Sequence, residues 1–260
     1  FVVLLGDERT GAHRLNLAGG INSFGTTIGP LIVAYVLFGG ISVADTSKAV
    51  ELKSVDTLYI LLIVLFLILA FILRSIKIEE RAQESTEAFS FEALKKPQLQ
   101  LGMLAIFVYV GVEVGIPNFI NLFLTTSPDA AGAKGFGMDT AMAGSIVGTY
   151  WFLMMIGRLC GGALGAKFSS KTQLTVVSSL ALIFLLIGMF APSATTVAMP
   201  VFKGGASIGF GMETVPVGIM FFALCGLCTS IMWGGIFNLA VEGLGKYTAM
   251  ASGIFMVMVC

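Results

Sequence analysis

Charge is what this sequence has least of. Only 12% of its 260 residues are Asp, Glu, Lys or Arg, about half the share in an ordinary soluble domain. Fifteen basic and fifteen acidic residues cancel, so the cationic surface that nucleic-acid binding requires is missing. Histidine occurs once, at His13, and every aspartate (Asp7, Asp45, Asp56, Asp129, Asp139) lies between apolar runs. Chemistry inside a membrane needs paired Asp, a Ser/His arrangement or a His-rich metal site within a span. An enzyme is therefore not expected, and neither is a cofactor. His13 reads as a plain polar residue at a loop edge. Cysteine is scarce too: Cys160, Cys225, Cys228 and Cys260 all lie in or beside apolar runs. "CGLC" at 225–228 has redox or metal spacing, yet no His or Asp stands near it. Buried structural thiols are the expectation, rather than a metal site or a disulfide. No Met and no signal peptide opens the chain at "FVVLLGD", and "GIFMVMVC" stops inside an apolar run. Both features give the expectation of a fragment.

Hydrophobic residues, by contrast, make up 57% of the chain, and they are gathered into blocks. A membrane helix needs ~20 apolar residues. Six blocks meet or approach that length: Leu15–Phe38, Thr57–Leu73, Gln98–Thr126, Thr140–Gly157, Thr172–Pro200 (leaving the membrane near Pro192) and Thr214–Val241. A seventh starts at about Thr248. The reading is an all-α polytopic membrane protein with about six complete spans and truncated ends. The block Thr57–Leu73, almost free of polar residues, is expected to face lipid. Basic residues set the orientation. Taking alternate connections as one side, eleven Lys and Arg fall on the side of residues 7–14, 74–97, 158–171 and 242–247, and four on the other. The first side is assigned to the cytoplasm. The polar stretch 74–97 reads as a boundary between two bundles, either as a solvated linker or with "FSFEALKKP" as a short helix on the inner face. The stretches "TSPDAAGAKGFGMD" and "MPVFKGGASIGFGME" read as Gly-rich loops.

Some spans carry more polarity than hydrocarbon tolerates. On a helix starting at Arg14, Asn16, Gly20, Ser23, Thr27 and Pro30 form one stripe, flanked by Gly19, Asn22 and Thr26. Leu17, Ile21, Phe24, Ile28, Leu31 and Ile32 take the opposite arc. Unpaired amides in lipid cost several kcal/mol, so the polar arc faces protein or water. It is either packing glue between helices or the lining of a solute route.

In "MLAIFVYVGVEVGIPNFINLFL", Glu113 stands near mid-span. A carboxylate there costs roughly 3 kcal/mol on insertion scales. It is a functional candidate, the alternative being a protonated acid bonded to a neighbouring helix. Pro117 removes a helical hydrogen bond and frees a carbonyl, and Asn118 and Asn121 add amides. "GSIVGTYWFLMMIGRLCGG" offers Gly144 and Gly148 for close packing, with Tyr150 and Trp151 as either core or a stacking face. Arg158 and the glycines after it read as a structural helix end. Thr229, Ser230 and Trp233 share one face of the last full span, where Gly234 and Gly235 thin the helix. Asn238 lies elsewhere on it and is equally explained as glue.

The ordered set "RLNLAGGINSFGTTIGP", "YVGVEVGIPNF", "GTYWFLMMIGRLCGG" and "IMWGGIFNLAVEGLGKYTAMASG" resembles the major facilitator superfamily, in its fucose permease and glucose/galactose permease branch. The resemblance runs from the end of the fourth helix into the eleventh of twelve. It implies two six-helix bundles with a solute site between them: residues 1–73 in the first bundle, 74–97 as the cytoplasmic linker, and 98–260 in the truncated second. It further implies a monomer in a bacterial inner membrane that imports a hexose or deoxyhexose with protons. An exporter of small amphipathic compounds, or less strongly a membrane sugar sensor, is the alternative. The expected substrate contacts are Asn22, Ser23, Thr27, Glu113, Asn118, Asn121, Tyr150, Thr229, Trp233 and Asn238. Glu113 is also a possible proton-coupling acid. Two departures from the family pattern bear on the sugar. The family commonly has Gln at the position of Gly19, and it reads Asn-Ser-Ile-Met-Phe-Pro where this chain has Thr229 to Gly234.

Overall fold

The structure is a computed structural model that describes residues 13–25, 52–76, 92–129, 131–132, 135–164, 168–203 and 209–259. Residues 13–25 form a helix, α1. It is followed by α2 (Leu52–Ser75), a 3-10 turn (Ala93–Lys95), α3 (Pro97–Thr125), α4 (Thr140–Leu164) and α5 (Ser170–Phe190). Two strands come next, β1 (Thr196–Lys203) and β2 (Gly209–Pro216). The chain continues with α6 (Val217–Thr229), α7 (Met232–Val241), a 3-10 turn (Gly245–Tyr247) and α8 (Thr248–Val257).

Among the described residues, five helical stretches are long and apolar enough to cross a membrane: Val55–Ser75, Pro97–Thr125, Met142–Ala163, Ser170–Phe190 and Val217–Val241. They match five of the six expected spans. The remaining span is described only as far as residue 25, and Thr248–Val257 is a shorter apolar helix. None of the described side chains of α2 is buried. Such an all-round greasy surface suits lipid or further protein, and no watery environment would stabilise it.

Packing follows the amphipathic pattern of α3, whose two halves anchor two cores. Its second half (Ile116, Ile120, Leu124) packs with Ala143, Ile146, Tyr150 and Met154 of α4, and with Ile219, Phe222 and Ala223 of α6. Its first half (Leu99, Ile106, Tyr109) packs with Ile236, Phe237, Ala240 and Val241 of α7 and Ala251 and Phe255 of α8. The turn at Ala93 sits in the second of these cores, and Glu92 accepts a 2.7 Å hydrogen bond from the Tyr247 hydroxyl. Ala93–Lys95 of "FSFEALKKP" thus form a single docked turn. Phe89 lies outside the described residues, as do Phe91 and most of 74–97.

The segment expected to be a loop between α5 and α6 is an antiparallel hairpin, with Thr196 opposite Pro216 and Lys203 opposite Gly209. Alternation explains it. Val197, Met199, Val201 and Val215 turn to the core, whereas Ala198, Pro200, Phe210 and Met212 turn out. The period of 2 is hidden in the sequence because these outward positions are themselves apolar. Near the other loop, the chain folds back on the end of α3. Phe136, Gly137 and Met138 donate their N–H groups to the carbonyls of Phe123, Thr126 and Leu124, capping orphan acceptors of that helix. Gly137 sits at a φ of 71°, where glycine carries no Cβ penalty.

Gly144 and Gly148 do not make the close approach expected of them: a Cβ at either would meet nothing within 4 Å. That role falls to Gly157 and Gly161, which receive Ser230 and Ile231, and to Gly226, where a Cβ would stand 2.4 Å from the Tyr150 carbonyl oxygen.

Candidate functional site

Pro117 lies inside α3, and the helix continues through it unbroken. Having no N–H, it leaves the carbonyl four residues earlier, that of Glu113, without its helical donor. The Tyr150 hydroxyl, from α4, lies 3.1 Å from that oxygen and donates to it. The same hydroxyl lies 3.2 Å from Thr229 Oγ1, so Tyr150 ties α3 to the end of α6. Tyr150→Phe is expected to strip the Glu113 carbonyl of its donor and to lower stability by about 1–3 kcal/mol. In a Pro117→Ala background, where the helix supplies its own N–H, the loss is expected to be smaller. Thermal unfolding of the four proteins of that cycle in detergent measures the difference.

The last span is broken at Ser230 and Ile231, between α6 and α7. This lies just before Gly234 and Gly235, where thinning was expected; both are helical and buried. A break inside a membrane must have its carbonyls answered by protein. Leu227 O accepts from Ser230 Oγ at 2.5 Å. Thr229 O accepts from the Tyr109 hydroxyl at 3.1 Å. Ser230 O accepts from Arg158 Nε at 3.3 Å.

Arg158 is the residue that sequence reasoning misplaced. The apolar block ends at Gly157, but α4 runs on to Leu164, which leaves Arg158 inside the span. Its Nη2 donates to Glu113 Oε1 at 2.9 Å, and the two side chains are 14% and 15% exposed. Its Nη1 donates to Ser23 Oγ at 2.7 Å and to Gly19 O at 3.4 Å. One guanidinium therefore joins α1, α3 and the α6–α7 break. The signal was available: a mid-membrane acid is almost always paired, and Arg158 directly follows one of the apolar blocks. The single histidine is placed as well. His13 opens α1, and its Nδ1 forms a hydrogen bond with the Gly162 carbonyl.

These groups border a cavity of about 510 Å³. Asn16, Gly19, Asn22 and Ser23 of α1 form one wall; Glu113 and Val114 of α3, Trp151 and Arg158 of α4, and Ser230 and Trp233 at the break form the others. Of the sequence candidates, Asn22, Ser23, Glu113 and Trp233 line it. Tyr150 and Thr229 do not; they sit fully buried behind the wall, where Thr229 is 1% exposed. Trp151 takes the lining position beside Tyr150. The Trp233 ring is stacked on Phe237, with centroids 5.5 Å apart and planes 3° from parallel. Asn118 and Asn121 are exposed, about four and seven residues along α3 from Val114 and hence on the same stripe. Asn238 donates to Ser170 Oγ at 3.2 Å and holds α7 to α5. Thr27 lies outside the described residues.

Cys225 and Cys228 are buried in α6 and are free thiols, and Cys160 is exposed. Chemically, the cavity offers neutral hydroxyl and amide groups, one internally balanced charge pair and two flat aromatic faces. That set suits an uncharged, polyhydroxylated ligand.

The model of the Major Facilitator Superfamily matches residues 7–260. A glucose/galactose transporter of Brucella abortus biovar 1 (strain 9-941) is 31% identical over 258 residues, covering 98% of this chain and 55% of that protein. An L-fucose-proton symporter of Escherichia coli (strain K12) is 25% identical over 279 residues, covering 99% of this chain and 57% of that protein. The chain thus spans little more than half the length of these curated relatives. Among solved structures, it superposes on a Major Facilitator Superfamily transporter, FucP, in the outward conformation. The TM-score is 0.72 at 25% identity, with 100% of this chain and 60% of that one covered.

Proposed function

Since the chain belongs to the Major Facilitator Superfamily, we propose that it carries part of a secondary active transporter importing a hexose or deoxyhexose, of fucose, glucose or galactose type, together with protons. The observation that carries this reading is the cavity between α1 and the α3/α4/α6–α7 group, with its amide, hydroxyl and tryptophan wall. Relatives named as a glucose/galactose transporter and an L-fucose-proton symporter support the sugar class. In this reading, residues 1–73 belong to one bundle, 74–97 link the two, and 98–260 belong to the other. The protein works as a monomer in a bacterial inner membrane, with residues 74–97 on the cytoplasmic side.

Asn22, Ser23 and Ser230 would hydrogen-bond sugar hydroxyls, and Trp151 and Trp233 would face the C–H side of the ring. Asn118 and Asn121 would continue the polar lane along α3, and Thr27 would add a further hydroxyl to the sugar contacts. A buried donor with no matching hydroxyl costs more than a matched one gains, so such a site selects by hydroxyl geometry. Cells expressing the reading frame that contains this chain are expected to accumulate labelled glucose, galactose or fucose, and a protonophore is expected to stop that accumulation. Accumulation that ignores the protonophore removes the proton; no uptake of any of the three removes the sugar. Trp233→Ala is expected to raise KM about 3- to 10-fold, in line with the loss of one aromatic contact, with Trp233→Phe keeping most of the affinity. Concentration-dependent uptake measures both.

A further inference from the structure

We propose that Arg158 is the positioning residue that latches one end of the cavity shut, by tying α1 to the opposite half of the molecule. Such a latch rests on the transport reading above and goes beyond it, because it closes the path rather than choosing what occupies it. The guanidinium reaches acceptors on three separate pieces of chain: Ser23 Oγ and Gly19 O on α1, Glu113 Oε1 on α3, and Ser230 O at the α6–α7 break. Only a planar fork of five N–H donors can do this at once; a lysine ammonium has three donors around one point.

The surrounding surfaces fit closely along the same seam. A Cβ on Gly20 would lie 2.7 Å from Leu159 Cδ2, and one on Gly162 would lie 2.8 Å from Leu17 Cδ2. His13 bonds the Gly162 carbonyl one turn further on. All these contacts fall at the His13–Ser23 stretch of α1 and the Arg158–Gly162 stretch of α4. The bias of basic residues assigns that end to the cytoplasm. Separation of the two helices there must break the Arg158 bonds to Ser23 and Gly19. It leaves the pair with Glu113 intact, so Arg158 stays with α3 and α4 when the latch opens.

Asn16 reports on the seam, being 4% exposed and lining the cavity. Asn16→Cys is placed in the reading frame that contains this chain, with Cys160 and Cys260 replaced by Ser. A membrane-impermeant maleimide is then added to the cytoplasmic face of inside-out vesicles. Alkylation is expected to be slow with Arg158 in place, at least ten-fold faster with Arg158→Gln, and intermediate with Arg158→Lys. Equal rates in all three overturn the latch.

Should Arg158→Gln fail to reach the membrane, Ser23→Ala removes one arm alone. It is expected to speed alkylation about three-fold; an unchanged rate again overturns the proposal. Adding glucose, galactose or fucose separates the two readings. If none of them protects against or alters alkylation while the Arg158 ordering holds, the sugar assignment fails and the latch stands. If a sugar alters alkylation but Arg158 substitution does not, the transport reading stands and the latch fails.

Discussion

Glu113→Leu, made while Arg158 remains, is expected to abolish uptake and to destabilise the folded protein by about 3–5 kcal/mol, the usual consequence of leaving one buried charge without its partner. The pair is 2.9 Å apart and mostly shielded from solvent. Removing the carboxylate leaves a guanidinium inside a membrane span, with only a hydroxyl and backbone carbonyls for company. Arg158→Met is expected to be as harmful, since it strands the carboxylate and also releases Ser23, Gly19 and the Ser230 carbonyl. The double change Glu113→Leu/Arg158→Met removes both charges. It is expected to recover most of the lost stability, because apolar replacements of a buried pair are often neutral or better. It is not expected to recover uptake, because the donors facing the cavity are gone. Thermal unfolding in detergent and whole-cell uptake, measured on the three variants, separate the two effects. A double variant no more stable than either single one counts against the pair as described.

Gly226→Leu is the second large effect. The close approach of α6 to α4 brings the Gly226 position within 2.4 Å, measured from an added Cβ, of the Tyr150 carbonyl oxygen. That obstacle is backbone, so no rotamer change relieves it. The two helices must part, and the Tyr150 hydroxyl would lose either the Glu113 carbonyl or Thr229. Overpacking of a tight core typically costs 1–3 kcal/mol, and the lost hydrogen bonds add about 1–3 kcal/mol. The expected outcome is a protein that fails to accumulate in membranes at growth temperature. Gly144→Ala is the control. Nothing lies within 4 Å of its added Cβ, and the change from Gly to Ala in a helix gains roughly 0.5–1 kcal/mol. Membrane yield and unfolding temperature of both variants check the contrast. A tolerated Gly226→Leu would mean that α4 and α6 lie further apart than described.

Which parts were readable beforehand follows a physical division. Spans announce themselves because the bilayer demands length and greasiness, and the five described spans fall where the apolar blocks lie. The freed carbonyl at Glu113 was equally legible, since proline lacks an N–H in any context; its donor, Tyr150, was not, because it is 37 residues away. The break at Ser230 was hidden for a similar reason. Glycines at 234 and 235 are weak local breakers, whereas Tyr109 and Arg158 stabilise the open carbonyls from distant helices. Arg158 falls just past the apolar block, which ends at Gly157 although α4 runs on to Leu164. A hydropathy window drops at an arginine whether that arginine ends the helix or is paired within it. The hairpin escaped notice because its inward valines and methionine alternate with residues that are themselves apolar. Thr229 and Tyr150 share the cavity's neighbourhood yet lie behind its wall, a distinction that a helical wheel of one span cannot draw.

The hairpin has a mechanical meaning. Its base is fastened to the first turn of α6, where the Val217 N–H donates to the Thr195 carbonyl at 2.9 Å, and the other end of α6 is the break at Ser230. Thirteen helical residues make a rod about 20 Å long. A tilt of about 10° applied at the hairpin would swing the far tip by about 3 Å, on the order of one hydrogen-bond length. A grip on β1 and β2 from outside, by an antibody fragment for instance, would therefore be felt as torque at the carbonyls that Tyr109 and Arg158 hold.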